Sequence, residues 1–139
     1  ASGSVSQGAY SYVSKYNVDL RLFYRKTMDE FYETIGQYDI IINGIEVDGT
    51  VDHIITKEQL KQVKQGCLII DSAADAGNAI AGTHYMSIAN PMYEEDGKYF
   101  YEVNNAPSLL YRNTSFEISK SFSEWVYRKD VVRFWKMFE

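Results

Sequence analysis

Cysteine is nearly missing from this chain. Cys67 is the one thiol in 139 residues, so an internal disulfide is impossible and a reducing, cytoplasmic setting is expected. Basic charge is short as well: 14 Lys and Arg face 19 Asp and Glu, for a net charge of −5. That balance lacks the broad positive field that draws proteins onto nucleic acid or anionic lipid, so neither is an expected partner. Any phosphate the chain binds must be gripped locally. No run approaches the ~20 apolar residues that span a bilayer, and no charged, apolar, small-residue leader opens the sequence. His53 and His84 have no metal-ligand spacing with a Cys or His partner, so no metal is expected.

What is present suits one α/β core. With 45% hydrophobic residues the chain can bury a single core of domain size. Ala1 to Gly8 is small and glycine-bearing and runs into Ala9–Lys15, which can be helical. The alternation over Asp19–Tyr24 predicts a strand, and Thr27 with Glu30 has the capping-box spacing that opens a helix. Ile40-Ile41-Ile42 before Asn43-Gly44, and Cys67-Leu68-Ile69-Ile70 before Asp71, are short apolar runs of the kind covered on both faces in a parallel sheet. Thr56 and Gln59 repeat the capping-box spacing, and Gly66 stops the helix that follows. Asp96-Gly97 between Tyr93-Glu94-Glu95 and Lys98–Tyr101 is a hairpin turn signal, leading to Val103 at a sheet edge. Thr114 with Glu117 is read as the cap of a last long helix, with Phe116, Phe122, Trp125 and Val126 along one face.

Strands alternating with helices imply a Rossmann-like, doubly wound, mostly parallel sheet with helices on both faces. If Gly3 lies in the turn after the first strand, that strand precedes Ala1. Residues 1–139 then form a single dinucleotide-binding domain, incomplete at its N-terminus, within a longer polypeptide.

The chemistry is read from strand ends. Glycine lets a backbone turn sharply and approach a pyrophosphate, whose oxygens then meet the free amides of a helix N-terminus. Gly3, Ser4 and Val5 occupy that turn, although Ala1 and Ser6 stand where the usual G-x-G-x-x-G has its outer glycines. Arg25, Lys26 and Thr27 follow the second strand, where a carboxylate would hold ribose hydroxyls. A guanidinium fork, a point charge and a hydroxyl instead suit a 2′-phosphate, so NADP is preferred to NAD. Asn43, Gly44 and Ala74 lie at further strand ends and are assigned to the cofactor. Asp75, amid small residues, is placed to orient a flat ring. Simpler readings stand beside these: a glycine-serine terminus, a solvated strand end, and Asp71 and Asp75 as turn caps.

The blocks Gly3–Ala9, Tyr24–Thr27, Asp39–Gly44, Leu68–Gly77 and Asn104–Ser108 together resemble the coenzyme domain of the alanine dehydrogenase and transhydrogenase family, and within it the carboxyethylornithine synthases. The resemblance implies an NADP-dependent oxidoreductase that reductively condenses pyruvate with the side-chain amine of ornithine or lysine. It implies catalytic-site roles for Asp75 and Asn105, a substrate domain absent from this chain, and a homo-oligomer of the longer protein. An alanine dehydrogenase-like enzyme using ammonia, and a non-catalytic assembly module on the same scaffold, are the alternatives.

Overall fold

The computed structural model describes residues 3–47, 52–72, 78–128 and 136. Its contacts divide the chain into two compact units, Ala1–Asn104 and Asn105–Glu139.

The first unit is built on a four-stranded sheet of β1 (Ile40–Asn43), β2 (Leu68–Asp71), β3 (Met92–Glu95) and β4 (Lys98–Tyr101), in the order β1-β2-β4-β3. β1, β2 and β4 run parallel, with Ile41 beside Ile69 and Ile69 beside Phe100; β3 is antiparallel to β4. The fold is Rossmann-like. Because side chains alternate along a strand, Ile41, Ile69 and Phe100 share one face, and all three are buried. Phe31 and Ile35 of helix α2 (Met28–Thr34) and its following turn join them, with Ile55, Val63 and Ile80. Covering is unequal: Ile42 and Ile70 on the opposite face are half-buried, and Ile40 is 54% exposed.

The hairpin forms where Asp96-Gly97 placed it. Both residues have positive φ, 48° and 71°, which is what a two-residue turn of right-twisted strands needs. β4 lies inside the sheet, and Val103, expected at a sheet edge, falls beyond it. β4 pairs with β2 as well as β3, and the chain beyond it carries buried Val103 into a parallel bridge with Met86. The Thr56–Gln59 box also forms: the Thr56 amide donates to Gln59 Oε1 at 2.8 Å and the Gln59 amide to Thr56 Oγ1 at 3.2 Å, opening α3 (Lys57–Leu60).

Three expectations give way. Asp19–Tyr24 joins no ladder among the described residues; it is held by packing, with the Phe23 ring 5.3 Å from Phe31 and 5.8 Å from Tyr38. Alternation marks a strand only where a neighbour offers its backbone, and β1 has none on that side among the described residues. Thr27 makes no cap for α2. Its hydroxyl turns back, accepting from the Tyr24 amide at 2.9 Å and donating to the Tyr24 carbonyl at 3.2 Å. The last helix starts before Thr114, whose hydroxyl donates to the Pro107 carbonyl at 3.1 Å from inside the helix.

The second unit comprises a 3-10 turn over Ala106–Leu110, helix α4 (Tyr111–Phe122) and a π-helical turn over Ser123–Tyr127. None of its described residues is fully buried; Phe116 and Trp125 are 66% and 67% exposed. Among the described residues no helix is long and apolar enough to cross a membrane.

Two titratable groups in the first unit report on its packing. Burial, and then Asp39, push the Cys67 thiol up, so it packs as a small apolar group and not as a nucleophile. Burial, with Glu102 and Glu95 adding to it, raises Tyr93 to about 12. The folded chain then keeps a proton that the unfolded chain surrenders near pH 10, so this contribution is complete below pH 10 and lost as pH climbs through about 12. Melting temperature is expected to fall more steeply across that window in the native chain than in Tyr93→Phe, measured by circular dichroism.

Candidate functional site

The site forms where the N-terminus of α1 (Ser4–Val13) meets the carboxyl end of β1. The helix begins earlier than its composition suggested, so Ser4 and Val5 are not loop residues but its first turn. Gly3 is the N-cap, in an extended conformation with φ −71° and ψ 157°, and the Gln7 amide closes the first intrahelical bond to its carbonyl at 3.0 Å. The amides of Ser4, Val5 and Ser6 therefore precede that bond. Among the described residues no side chain caps this end, and no acidic residue lies in the first turn. A helix start of this kind is complementary to an anion.

Gly44 brings β1 up against this turn. A Cβ at Gly44 would collide with Ser6 Oγ and lie 3.2 Å from the Ser6 nitrogen and 3.3 Å from Val5 Cγ1. Its φ is not among the positive values in the chain, so space and not backbone conformation calls for glycine here. Asn43, the residue before, shapes the strand tip with its side chain. Its Nδ2 donates to Asp71 Oδ1 at 2.9 Å and to the Ile45 carbonyl at 3.0 Å, and its Oδ1 accepts from the Ile45 amide at 3.0 Å. Its carbonyl accepts from the Ser72 amide at 2.8 Å. Asn43 and Asp71 are register partners, both buried, so this bond locks the tips of β1 and β2 together at the ligand-binding edge of the sheet.

The cationic group lies in a separate turn. Arg25 and Lys26 are exposed in the 3-10 turn Arg25–Thr27 that precedes α2, and neither forms an ion pair among the described residues. Thr27 belongs to the same turn with its proton engaged by Tyr24. Asp75 and Ala74 lie outside the described residues. Asn105 is the exposed N-cap of the 3-10 turn in the second unit, where its carbonyl accepts from the Ser108 amide at 3.0 Å and the Ser108 hydroxyl at 2.7 Å. Of the sequence-assigned residues, the fold thus gathers Gly3, Ser4 and Val5 against Gly44. Among the described residues no group of three His, Cys, Asp or Glu side chains is arranged to hold a metal.

Ser6 and Asp71 were not assigned to the cofactor from the sequence. The signal for Ser6 was its departure from the third glycine of the fingerprint; for Asp71 there was only its position at a strand end.

Residues 5–133 match the family model described as alanine dehydrogenase/PNT, C-terminal domain. The chain is 55% identical over 133 residues to an N(5)-(carboxyethyl)ornithine synthase of Lactococcus lactis subsp. lactis, covering 96% of this chain and 42% of that protein. It is 51% identical over 130 residues to the enzyme of the same name from Clostridium botulinum, covering 94% and 41%. A solved L-alanine dehydrogenase superposes with a TM-score of 0.60 at 20% identity, over 88% of this chain and 34% of that one, which shows a common fold. The chain thus spans about two-fifths of the length of these curated relatives. It belongs to the alanine dehydrogenase/PNT C-terminal domain family.

Proposed function

We propose that residues 1–139 are the NADP-binding domain of an oxidoreductase that reductively condenses pyruvate with the side-chain amine of ornithine or lysine to an N-carboxyethyl amino acid. The observation that carries the cofactor assignment is the α1 N-terminus, capped by no side chain among the described residues, with Gly44 just after β1 holding back any side chain that would crowd it. A pyrophosphate fits there, and its charge is met by the helix end and first-turn amides. Arg25 and Lys26 are exposed and hold the 2′-phosphate that separates NADP from NAD. NADPH, when bound, supplies the hydride that reduces the imine of the two substrates.

The pyruvate and amine assignment draws on the two relatives above 50% identity, both named for carboxyethylornithine synthesis. In this reading Asp75 and Asn105 face the nicotinamide and substrate, and the substrate-binding residues belong to a further domain, in a homo-oligomer. A closed, water-poor cleft is needed to protect an imine from hydrolysis, and a second wall supplies it.

Titrating the chain with NADPH and NADH, followed by protein fluorescence, is expected to show preference for NADPH; equal or undetectable binding of the two contradicts the cofactor assignment. Assaying the longer protein with pyruvate and each of ornithine, lysine and ammonia tests the reaction. Turnover with ammonia alone favours an alanine dehydrogenase-like reading, whose support is the fold shared with L-alanine dehydrogenase.

A further inference from the structure

Asn43 spends its whole carboxamide inside the fold. A primary amide has two N–H donors, and both are committed, one to Asp71 Oδ1 at 2.9 Å and one to the Ile45 carbonyl at 3.0 Å, while Oδ1 accepts from the Ile45 amide at 3.0 Å. Neither donor is left for a ligand, and the residue is only 7% exposed. What the side chain does fix is the direction in which the chain leaves two strands. Its bond from the Ile45 amide is an Asx turn that steers the exit from β1. Its bond to Asp71, 1% exposed at the end of β2, sets the exit from that strand, where the Ser72 amide is also tied back to the Asn43 carbonyl at 2.8 Å. Next to Asn43 stands Gly44, against the first turn of α1. A buried carboxylate costs folding energy that an apolar pair at the same register positions would not, so holding the strands together does not explain it.

We propose that the buried Asn43–Asp71 pair positions the nicotinamide ring for hydride transfer, touching neither cofactor nor substrate, by fixing the exit of β2 relative to the α1 end of the site. This rests on the cofactor and reaction reading above. Affinity comes from the phosphates, which are held elsewhere, so the pair governs rate and not binding. Reacting atoms must come within about 3–3.5 Å of each other, and a displacement of about 1 Å costs on the order of 100-fold in rate.

In the longer protein, Asn43→Ala and Asp71→Ala are expected to bind NADPH within about threefold of native while kcat falls on the order of 100-fold. The fluorescence emission of bound NADPH, read without substrate, is expected to change in both variants. Asp71→Asn keeps an oxygen for the Asn43 amide and should retain native kcat and emission, which a proton-handling carboxylate would not. Native kcat and emission in both alanine variants overturn the proposal. So does affinity lost in step with kcat and melting temperature, or an Asp71→Asn variant as slow as Asp71→Ala. If the native protein binds NADPH without reducing pyruvate and an amine, the reaction reading fails, and the emission and affinity of the variants still decide the role of the pair. A native protein that binds no dinucleotide overturns the cofactor reading, and this inference with it.

Discussion

Arg25→Asp lowers the affinity for NADPH on the order of 100-fold while changing that for NADH by no more than about threefold. The guanidinium can offer two parallel N–H donors to a phosphate, and charge-assisted bonds of this type contribute about 1.5–3 kcal/mol each. The aspartate removes them and sets a negative charge against a dianion. Arg25 is exposed and makes no ion pair among the described residues, so nothing in the described fold is lost with it, and the melting temperature without ligand should stay within about a degree or two of the native value. Paired titrations with NADPH and NADH read the ratio directly. Equal losses for the two cofactors would assign Arg25 to the fold and remove the basis for NADP preference.

Gly44→Ala has a large effect through a single methyl group. Because Gly44 is not held at positive φ, alanine meets no backbone penalty and the whole response comes from the collision with Ser6 Oγ and the close approach to the Ser6 nitrogen and Val5 Cγ1. One of the contacting atoms is backbone, so rotating a side chain cannot relieve it and the first turn of α1 must shift. Overpacking of this kind costs about 1–3 kcal/mol, and the displaced amides should weaken dinucleotide binding by roughly 10- to 100-fold. The double variant Gly44→Ala with Ser6→Gly clears the main obstacle and is expected to recover most of the stability, a non-additivity that a double-mutant cycle measures. Purely additive losses would show that the two residues do not share this space.

The parts of the fold that could be read from the sequence are those fixed by local chemistry. The apolar runs ending at Asn43 and Asp71, the Asp96-Gly97 turn and the reciprocal Thr56–Gln59 bonds each depend on a few adjacent residues. What escaped was set by distant partners. Asp19–Tyr24 alternates as a strand should, yet a ladder needs a neighbouring backbone, and Phe23 instead anchors the segment through its ring. Thr27 and Thr114 had the spacing of caps, but hydroxyls bond to whichever backbone group is nearest, and Tyr24 and Pro107 were nearer. Glycine and serine at the N-terminus resembled a loop because their helix propensity is poor, although Ser4–Ser6 open a helix that packs against β1.

The site followed the same division. Gly44 was legible because few residues other than glycine serve where a strand end approaches a helix this closely. The role of Asn43 was not, since only the register between β1 and β2 brings Asp71 within 2.9 Å of its amide. Ser6 counted as a flaw in a motif until Gly44 appeared opposite it.

A crystal structure of the chain grown with NADP tests the central claim most directly. The pyrophosphate is expected against the first-turn amides of α1 beside Gly44, with the 2′-phosphate within hydrogen-bonding distance of the Arg25 guanidinium. A dinucleotide bound elsewhere, or bound at α1 with its 2′-phosphate directed away from Arg25 into solvent, contradicts the account.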